Sequence, residues 1–166
     1  MTSLLDQSAL MNLAERLVAA ARRAGADQAD AVAVRAVSLA VELRDGAVEE
    51  SQRSESDDIG LRVLVGHKQA AVSTNDVKAD GLDALAERAV AMARAAPDDE
   101  FAGLADAALL ARAFPDLDLL DPDMPSVAVL EKRARQTEQA ALAVPGVAKS
   151  GGASASAGTA VWSCGA

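Results

Sequence analysis

The sequence predicts an α+β domain: a curved antiparallel β-sheet laid out as a hairpin meander, with about three to four helices packed mainly on one face. Three observations carry that expectation. Apolar residues recur at three- and four-residue steps from Ser8 to Ala24, the period of an amphipathic helix. From Val32 to Thr74 the period is two, the alternation of strands with one covered face. Within that stretch stands Asp45-Gly46, a pair that favours a two-residue type I′ hairpin because both central residues need positive φ.

The first helix sets Leu10, Leu13, Leu17, Ala21 and Ala24 on one stripe, with Arg22 and Arg23 in the last turn, where cations suit the helix dipole. Gly25 is its stop. Val32 and Val34, then Leu39, Val41 and Leu43, are the alternating apolar positions that lead into the turn. The returning strand, Ala47 to Ser54, is nearly all polar and is expected to be exposed on at least one face or to form an edge guarded by its charges. Ile59, Leu61, Val63 and Val65 form the clearest half-buried strand, with Gly60 and Arg62 facing the other way. Gly66-His67-Lys68 turns the chain and Gln69 to Thr74 returns it, giving about five strands.

Helical spacing resumes at Leu82, Leu85, Ala86, Ala89 and Ala93, ended by Pro97. Asp98 to Asp123 reads as an irregular acidic linker, with a short helix around Leu104 to Ala111 and with Leu117, Leu119 and Leu120 pinning it to the core. A further helix runs from about Pro125 to Ala143, its stripe being Val127, Leu130, Ala134, Thr137 and Ala141; Pro125 suits a first turn, where a missing N–H costs nothing. In the tail, Val147 to Ala166, small residues alternate about a turn at Gly158-Thr159. The chain stops on a strand with no polar tail, the pattern expected of the front of a longer protein.

Composition narrows the function. With 16 Lys+Arg against 25 Asp+Glu, a net charge of -9 and 51% apolar residues, the 166 residues suit one globular domain rather than a phosphate-binding protein. Two Phe, one Trp and no Tyr provide no ladder for stacking bases. There is no apolar run of about 18 residues to span a membrane, and the segment from Met1 to Leu10 carries Asp6 without a basic cluster, unlike a signal peptide. The lone Cys164 fits a reducing cytoplasm.

Candidate chemistry is sparse. His67 lies in a predicted turn without the ligand spacing zinc requires, and reads as a solvated loop residue. Asp116, Asp118, Asp121 and Asp123 lack the central Gly and terminal Glu of a calcium loop. Cys164 as a nucleophile needs a base, for which only His67 is available. Ser51, Ser54 and Ser56 have no nucleophile-elbow setting, and Gly151-Gly152 no phosphate-loop spacing. Glu49-Glu50 and Asp57-Asp58 are adjacent pairs of the kind found on exposed surface. No catalytic, cofactor-binding or metal residue is assigned.

Asp58-Ile59-Gly60-Leu61-Arg62-Val63-Leu64-Val65, followed by Ala71-Val72-Ser73-Thr74-Asn75-Asp76, resembles the core of the TldD/PmbA family. Pro115-Asp116-Leu117-Asp118-Leu119-Leu120-Asp121-Pro122 and Ser150-Gly151-Gly152-Ala153-Ser154-Ala155-Ser156 resemble its PmbA (TldE) branch. The resemblance covers all 166 residues, about the first third of a family member, with residues 147–166 opening the passage toward a C-terminal domain. It implies a cytoplasmic bacterial protein that joins a TldD-type subunit, or a second copy, in a metal-dependent peptidase complex acting on peptide precursors and unfolded substrates. It places the zinc or similar divalent metal in the TldD-type partner, so that no family catalytic position maps onto this chain. The name "modulator of DNA gyrase" belongs to the same branch. The expected role is non-catalytic, shaping a cavity or partner interface, with the strand Ala47 to Ser54 and the hairpin around His67 as contact surfaces open to an extended peptide. Two alternatives stand beside it: an interaction module acting on gyrase or an antitoxin without proteolysis, and an enzyme whose catalytic residues lie downstream.

Overall fold

A computed structural model describes residues 7–76, 81–113, 115–121 and 123–166. Of the positions read above, Asp6 and Pro122 lie outside them. In chain order the elements are α1 (Gln7–Arg23), β1 (Gln28–Arg44), β2 (Ala47–Val65), β3 (Lys68–Thr74), α2 (Leu82–Ala95), a 3-10 turn at Ala107–Leu109, α3 (Val127–Leu142) and β4 (Ala153–Gly165). The strands form one open antiparallel sheet in the order β3-β2-β1-β4. The fold is α+β.

Two compact units divide the chain: residues up to Arg35 with Ser56–Asp116 and Ala160–Ala166, and Ala36–Glu55 with Leu117–Thr159. In the first unit, α1 closes where Gly25 takes φ 100° and the Ala26 N–H donates to the Ala21 carbonyl at 3.0 Å, the left-handed cap expected of that glycine. Leu10, Leu17 and Val18 of α1 and Leu82, Leu85 and Val90 of α2 pack with Ile59, Leu61 and Val63 of β2. The alternation of β1 is as expected, but its phase is reversed. Ala29, Ala31 and Ala33 enter the core, while Val32 and Val34 are only half-buried on the opposite face. Alanine-rich α2, with Ala86, Ala89 and Ala93 at 0% exposure, belongs to the same core, where small side chains allow close packing.

In the second unit a smaller core joins Leu39, Val41 and Leu43 of β1 to Leu130 and Ala134 of α3. Asp45 at φ 51° and Gly46 at φ 75° form the expected turn. The α3 stripe departs from expectation after two turns: Leu130 and Ala134 are followed by Glu138, which is 2% exposed, whereas Val127, Thr137 and Ala141 face outward. The Glu138 carboxylate accepts the Asp45 N–H at 3.1 Å and the Gly46 N–H at 2.8 Å, fastening helix to turn. Arg135 adds a guanidinium bond to the Gly46 carbonyl. Pro125 precedes α3; the cap is Ser126, whose Oγ accepts from the Val129 N–H at 3.4 Å. Ser126→Ala is expected to cost about 1 kcal/mol, read as a lowered midpoint in urea.

Three further expectations are corrected. The stretch up to Thr74 holds three strands rather than about five, because Gln28–Arg44 and Ala47–Val65 are each continuous; β4 is the fourth strand among the described residues. No Gly or Pro interrupts residues 48–59, and the change from polar to apolar marks a change of cover rather than of direction. Gly158-Thr159 lies inside β4 instead of forming a turn. A Cβ on Gly152 would lie 2.9 Å from the Leu43 carbonyl oxygen and one on Gly158 3.2 Å from that of Val37, so β4 runs antiparallel along β1 with glycines at its closest approaches. Finally, the short helix reduces to Ala107–Leu109, and Leu117, Leu119 and Leu120 are exposed. The core near them is closed instead by Met124, Ala155 and Ala157.

Candidate functional site

The candidate site in the first unit is the face of the sheet opposite its helical core. β2 and β3 pair antiparallel from Ile59↔Thr74 to Val65↔Lys68, which sets Gly60 against Ser73 and Arg62 against Ala71. Even-numbered positions of β1 and β2 point outward here because their odd-numbered neighbours enter the core. An open depression of about 600 Å³ results, lined by Asp30, Val32, Arg62, Ala71, Ser73 and Cys164 among others. Its polar centre is a bidentate pair, Arg62 Nε and Nη2 to the two Asp30 oxygens at 2.9 and 2.7 Å. The hydrogen bonds that Arg62 donates to Asp30 hold its guanidinium above its ordinary pKa; burial opposes this and the Asp30 charge adds to it. Both charged groups are thereby satisfied, and the surrounding small and apolar side chains supply no base beside Cys164.

The residues considered from sequence remain separate. His67 is exposed in the β2–β3 turn, where its backbone carbonyl accepts the Asp99 N–H at 2.8 Å, and its ring is not part of the depression. Asp116, Asp118, Asp121 and Asp123 are exposed, and the Asp121 carboxylate accepts the Asp123 N–H at 2.9 Å in a local turn. Among the described residues no group of three or more His, Cys, Asp or Glu is placed to hold a metal ion. The described residues therefore do not fit the divalent metal that the resemblance implies for the peptidase. Ser51, Ser54 and Ser56 are exposed along β2, while Gly152 holds a positive φ against Leu43. Cys164 is a free, exposed thiol on β4.

One surface expectation is corrected. Asp57 is half-buried in a bidentate pair with Arg35, its Oδ2 3.0 Å from Nη2, whereas Glu49 is exposed and pairs with Arg44 at 3.3 Å. Asp30–Arg62 and Arg35–Asp57 were not legible from sequence, since partners 32 and 22 positions apart become neighbours only once the strand register is known. No helix among the described residues is long and apolar enough to cross a membrane.

The fold and this face define an α+β sheet domain whose open face is centred on the Asp30–Arg62 ion pair. Residues 29–93 match the model for PmbA/TldA metallopeptidase domain 1. The chain is 32% identical over 122 residues to the metalloprotease PmbA homolog of Haemophilus influenzae, an alignment covering 74% of this chain and 27% of that protein. It is 30% identical over 116 residues to the metalloprotease PmbA of Escherichia coli O157:H7, covering 70% and 26%. Among solved structures, a candidate modulator of DNA gyrase from Bacteroides thetaiotaomicron superposes with a TM-score of 0.73 at 20% identity, over 91% of this chain and 33% of that one. TldE from Thermococcus kodakarensis superposes with a TM-score of 0.64 at 11% identity, over 89% and 36%. The chain belongs to the TldD/PmbA family, in its PmbA (TldE) branch. It spans about a quarter of the length of the curated relatives it matches.

Proposed function

We propose that this chain is the non-catalytic N-terminal domain of a PmbA/TldE-like subunit in a cytoplasmic, metal-dependent peptidase complex that processes peptide precursors or degrades unfolded substrates. Its partner is a TldD-like subunit or a second copy, and the zinc or similar metal is supplied by the TldD-type side. The observation that carries this reading is the match to metalloprotease PmbA over most of the chain, in a domain where no group of three or more His, Cys, Asp or Glu among the described residues is placed to hold a metal ion. The domain's own work is then contact. The side chains of Ala47–Glu55 are exposed, and among the described residues no strand pairs with its outer edge, which offers backbone N–H and C=O groups to another extended chain.

The test is cleavage of an unfolded peptide by the chain alone with added zinc, by a TldD-type subunit alone, and by the two mixed. Expected are no turnover from the chain alone and turnover in the mixture that disappears when the metal ligands of the TldD-type subunit are removed. Charge reversal of Glu49 and Glu50 is expected to alter processing by the mixture. Hydrolysis by the chain alone would overturn the reading. An effect on gyrase that survives removal of those metal ligands would favour the interaction module instead; the Bacteroides neighbour is described as a modulator of DNA gyrase.

A further inference from the structure

Leu117, Leu119 and Leu120 stand 63%, 85% and 50% exposed in the second unit, although the sequence pattern predicts that they reach its core. That core is closed without them by Met124, Ala155 and Ala157. Residues 115–121 form neither helix nor strand, and Asp118 takes φ 46°, a left-handed backbone that aspartate adopts more readily than most residues. Single apolar side chains on a surface are ordinary, but three leucines within four positions make a patch of the kind that marks a contact. The charge around them is of one sign. Residues 116–123 carry four aspartates and neither Lys nor Arg.

We propose that residues 117–121 are a docking motif for a folded partner whose apolar groove is rimmed by Lys and Arg, and that this partner is the TldD-type subunit. The inference rests on the reading that the chain works beside such a subunit. Side chains that protrude to this degree are the inserted half of a contact, so the concave half belongs to the other protein. An unfolded peptide has no groove to offer. The aspartates select the rim: guanidinium and ammonium groups gain from flanking carboxylates, whereas like charges set against them are costly. A second copy of the chain, at a net charge of -9, therefore fits poorly, and nucleic acid or an anionic membrane surface is repelled on the same ground.

A contact through one short segment falls at the small end of specific interfaces, so the docking is weak and reversible. Its two components act on different quantities. The leucines, removed from water in the groove, govern how long the complex lasts; the aspartates govern how fast it forms and how strongly salt opposes it.

The experiment titrates the chain with a TldD-type subunit by calorimetry between about 0.1 and 1 M NaCl, over which the screening length falls from about 10 to about 3 Å, and follows peptide turnover in the same mixtures. Affinity is expected to fall as salt rises. Leu119→Ser is expected to weaken binding roughly tenfold, and the same change at Leu117, Leu119 and Leu120 together roughly a hundredfold. Asp118→Asn with Asp121→Asn keeps a residue tolerant of the left-handed backbone and an acceptor for the Asp123 N–H, and is expected to flatten the salt dependence. Leu142→Ser, at a part-exposed leucine of the same unit outside the motif, is expected to leave binding unchanged. All the replaced side chains are exposed, and unchanged thermal midpoints check that each variant folds. Parent-like binding by the triple leucine variant, or binding indifferent to salt, would overturn the proposal; turnover persisting in that mixture would leave the reading it rests on standing. Failure of the parent chain to bind a TldD-type subunit, with no turnover in the mixture, would overturn both. Self-association of the chain alone that the triple variant abolishes would assign the motif to a second copy and overturn the proposal as well.

Discussion

Glu138→Ala is expected to lower the thermal midpoint of the chain by roughly 6–12 °C, the equivalent of about 3 kcal/mol for a domain of this size. The reason is the position of the carboxylate. At 2% exposure it lies on the stripe of α3 that faces β1, and both its oxygens are used by the N–H groups of Asp45 and Gly46. Those two amides sit at the tip of a type I′ turn, where no strand partner is available to them. Charge-assisted bonds of this kind are each worth about 1.5–3 kcal/mol; water reaching the exposed side of the turn recovers part of the sum. Truncation also opens a void beside Leu130 and Ala134, in a core of only five fully buried apolar residues.

Glu138→Gln retains one acceptor oxygen and should lose about half as much stability. Amide hydrogen exchange at Asp45 and Gly46 provides the site-specific check, with slow exchange in the parent chain and fast exchange in Glu138→Ala. If both amides already exchange rapidly in the parent, the carboxylate is not holding the turn and the prediction fails.

Glu138 also shows what sequence patterning can and cannot reveal here. Leu130 and Ala134 mark the buried stripe by themselves, but a glutamate one turn further on reads as surface until its two partners, some 92 positions earlier, are brought to it. The element types were legible because each has a clean period: α2 buries the residues its spacing singles out, α1 buries Leu10, Leu17 and Ala21 of its stripe with Leu13 and Ala24 half-buried, and Asp45-Gly46 turns where its φ preference requires. Strand extent was not legible where cover changes along one strand. Polar 47–58 and apolar 59–65 look like two strands because burial, not direction, changes between them. In the same way the Gly158 signal, which suggests a turn, records close approach to Val37 instead.

The contacts that make up the candidate site were not legible in the sequence. The ion pairs, Asp30 with Arg62 on the open face and Arg35 with Asp57 elsewhere on the same two strands, depend on strand register, which residue types alone do not encode. The acidic segment was misread for a related reason. Alternating Asp and Leu at 116–121 resembles a loop tacked down by its leucines, but the nearby core is already filled by Met124, Ala155 and Ala157.

The reversed phase of β1 makes the second large prediction. Hydrophobicity alone ranks Val34 above Ala33, so a scan of residue types expects truncation at Val34 to do the greater damage. The packing says the opposite. Ala33 is 0% exposed, and the core it belongs to is completed by Ala86, Ala89 and Ala93 of α2 and by Ala14, Leu17 and Ala21 of α1, all at 0% exposure. Close-packed cores accommodate three added carbons only by shifting backbone or forcing side chains off their rotamers, at about 1–3 kcal/mol. Because helices and sheet approach through alanines on several sides, Ala33→Leu should fall near the top of that range and lower the thermal midpoint by roughly 6–12 °C. Val34→Ala, on the half-buried opposite face, loses two carbons that were never fully removed from water and should cost less than about 1 kcal/mol. Urea midpoints of the two variants decide the matter. A larger loss from Val34→Ala than from Ala33→Leu would mean that the valine face is the covered one, and that the depression around Asp30 and Arg62 is not an open surface.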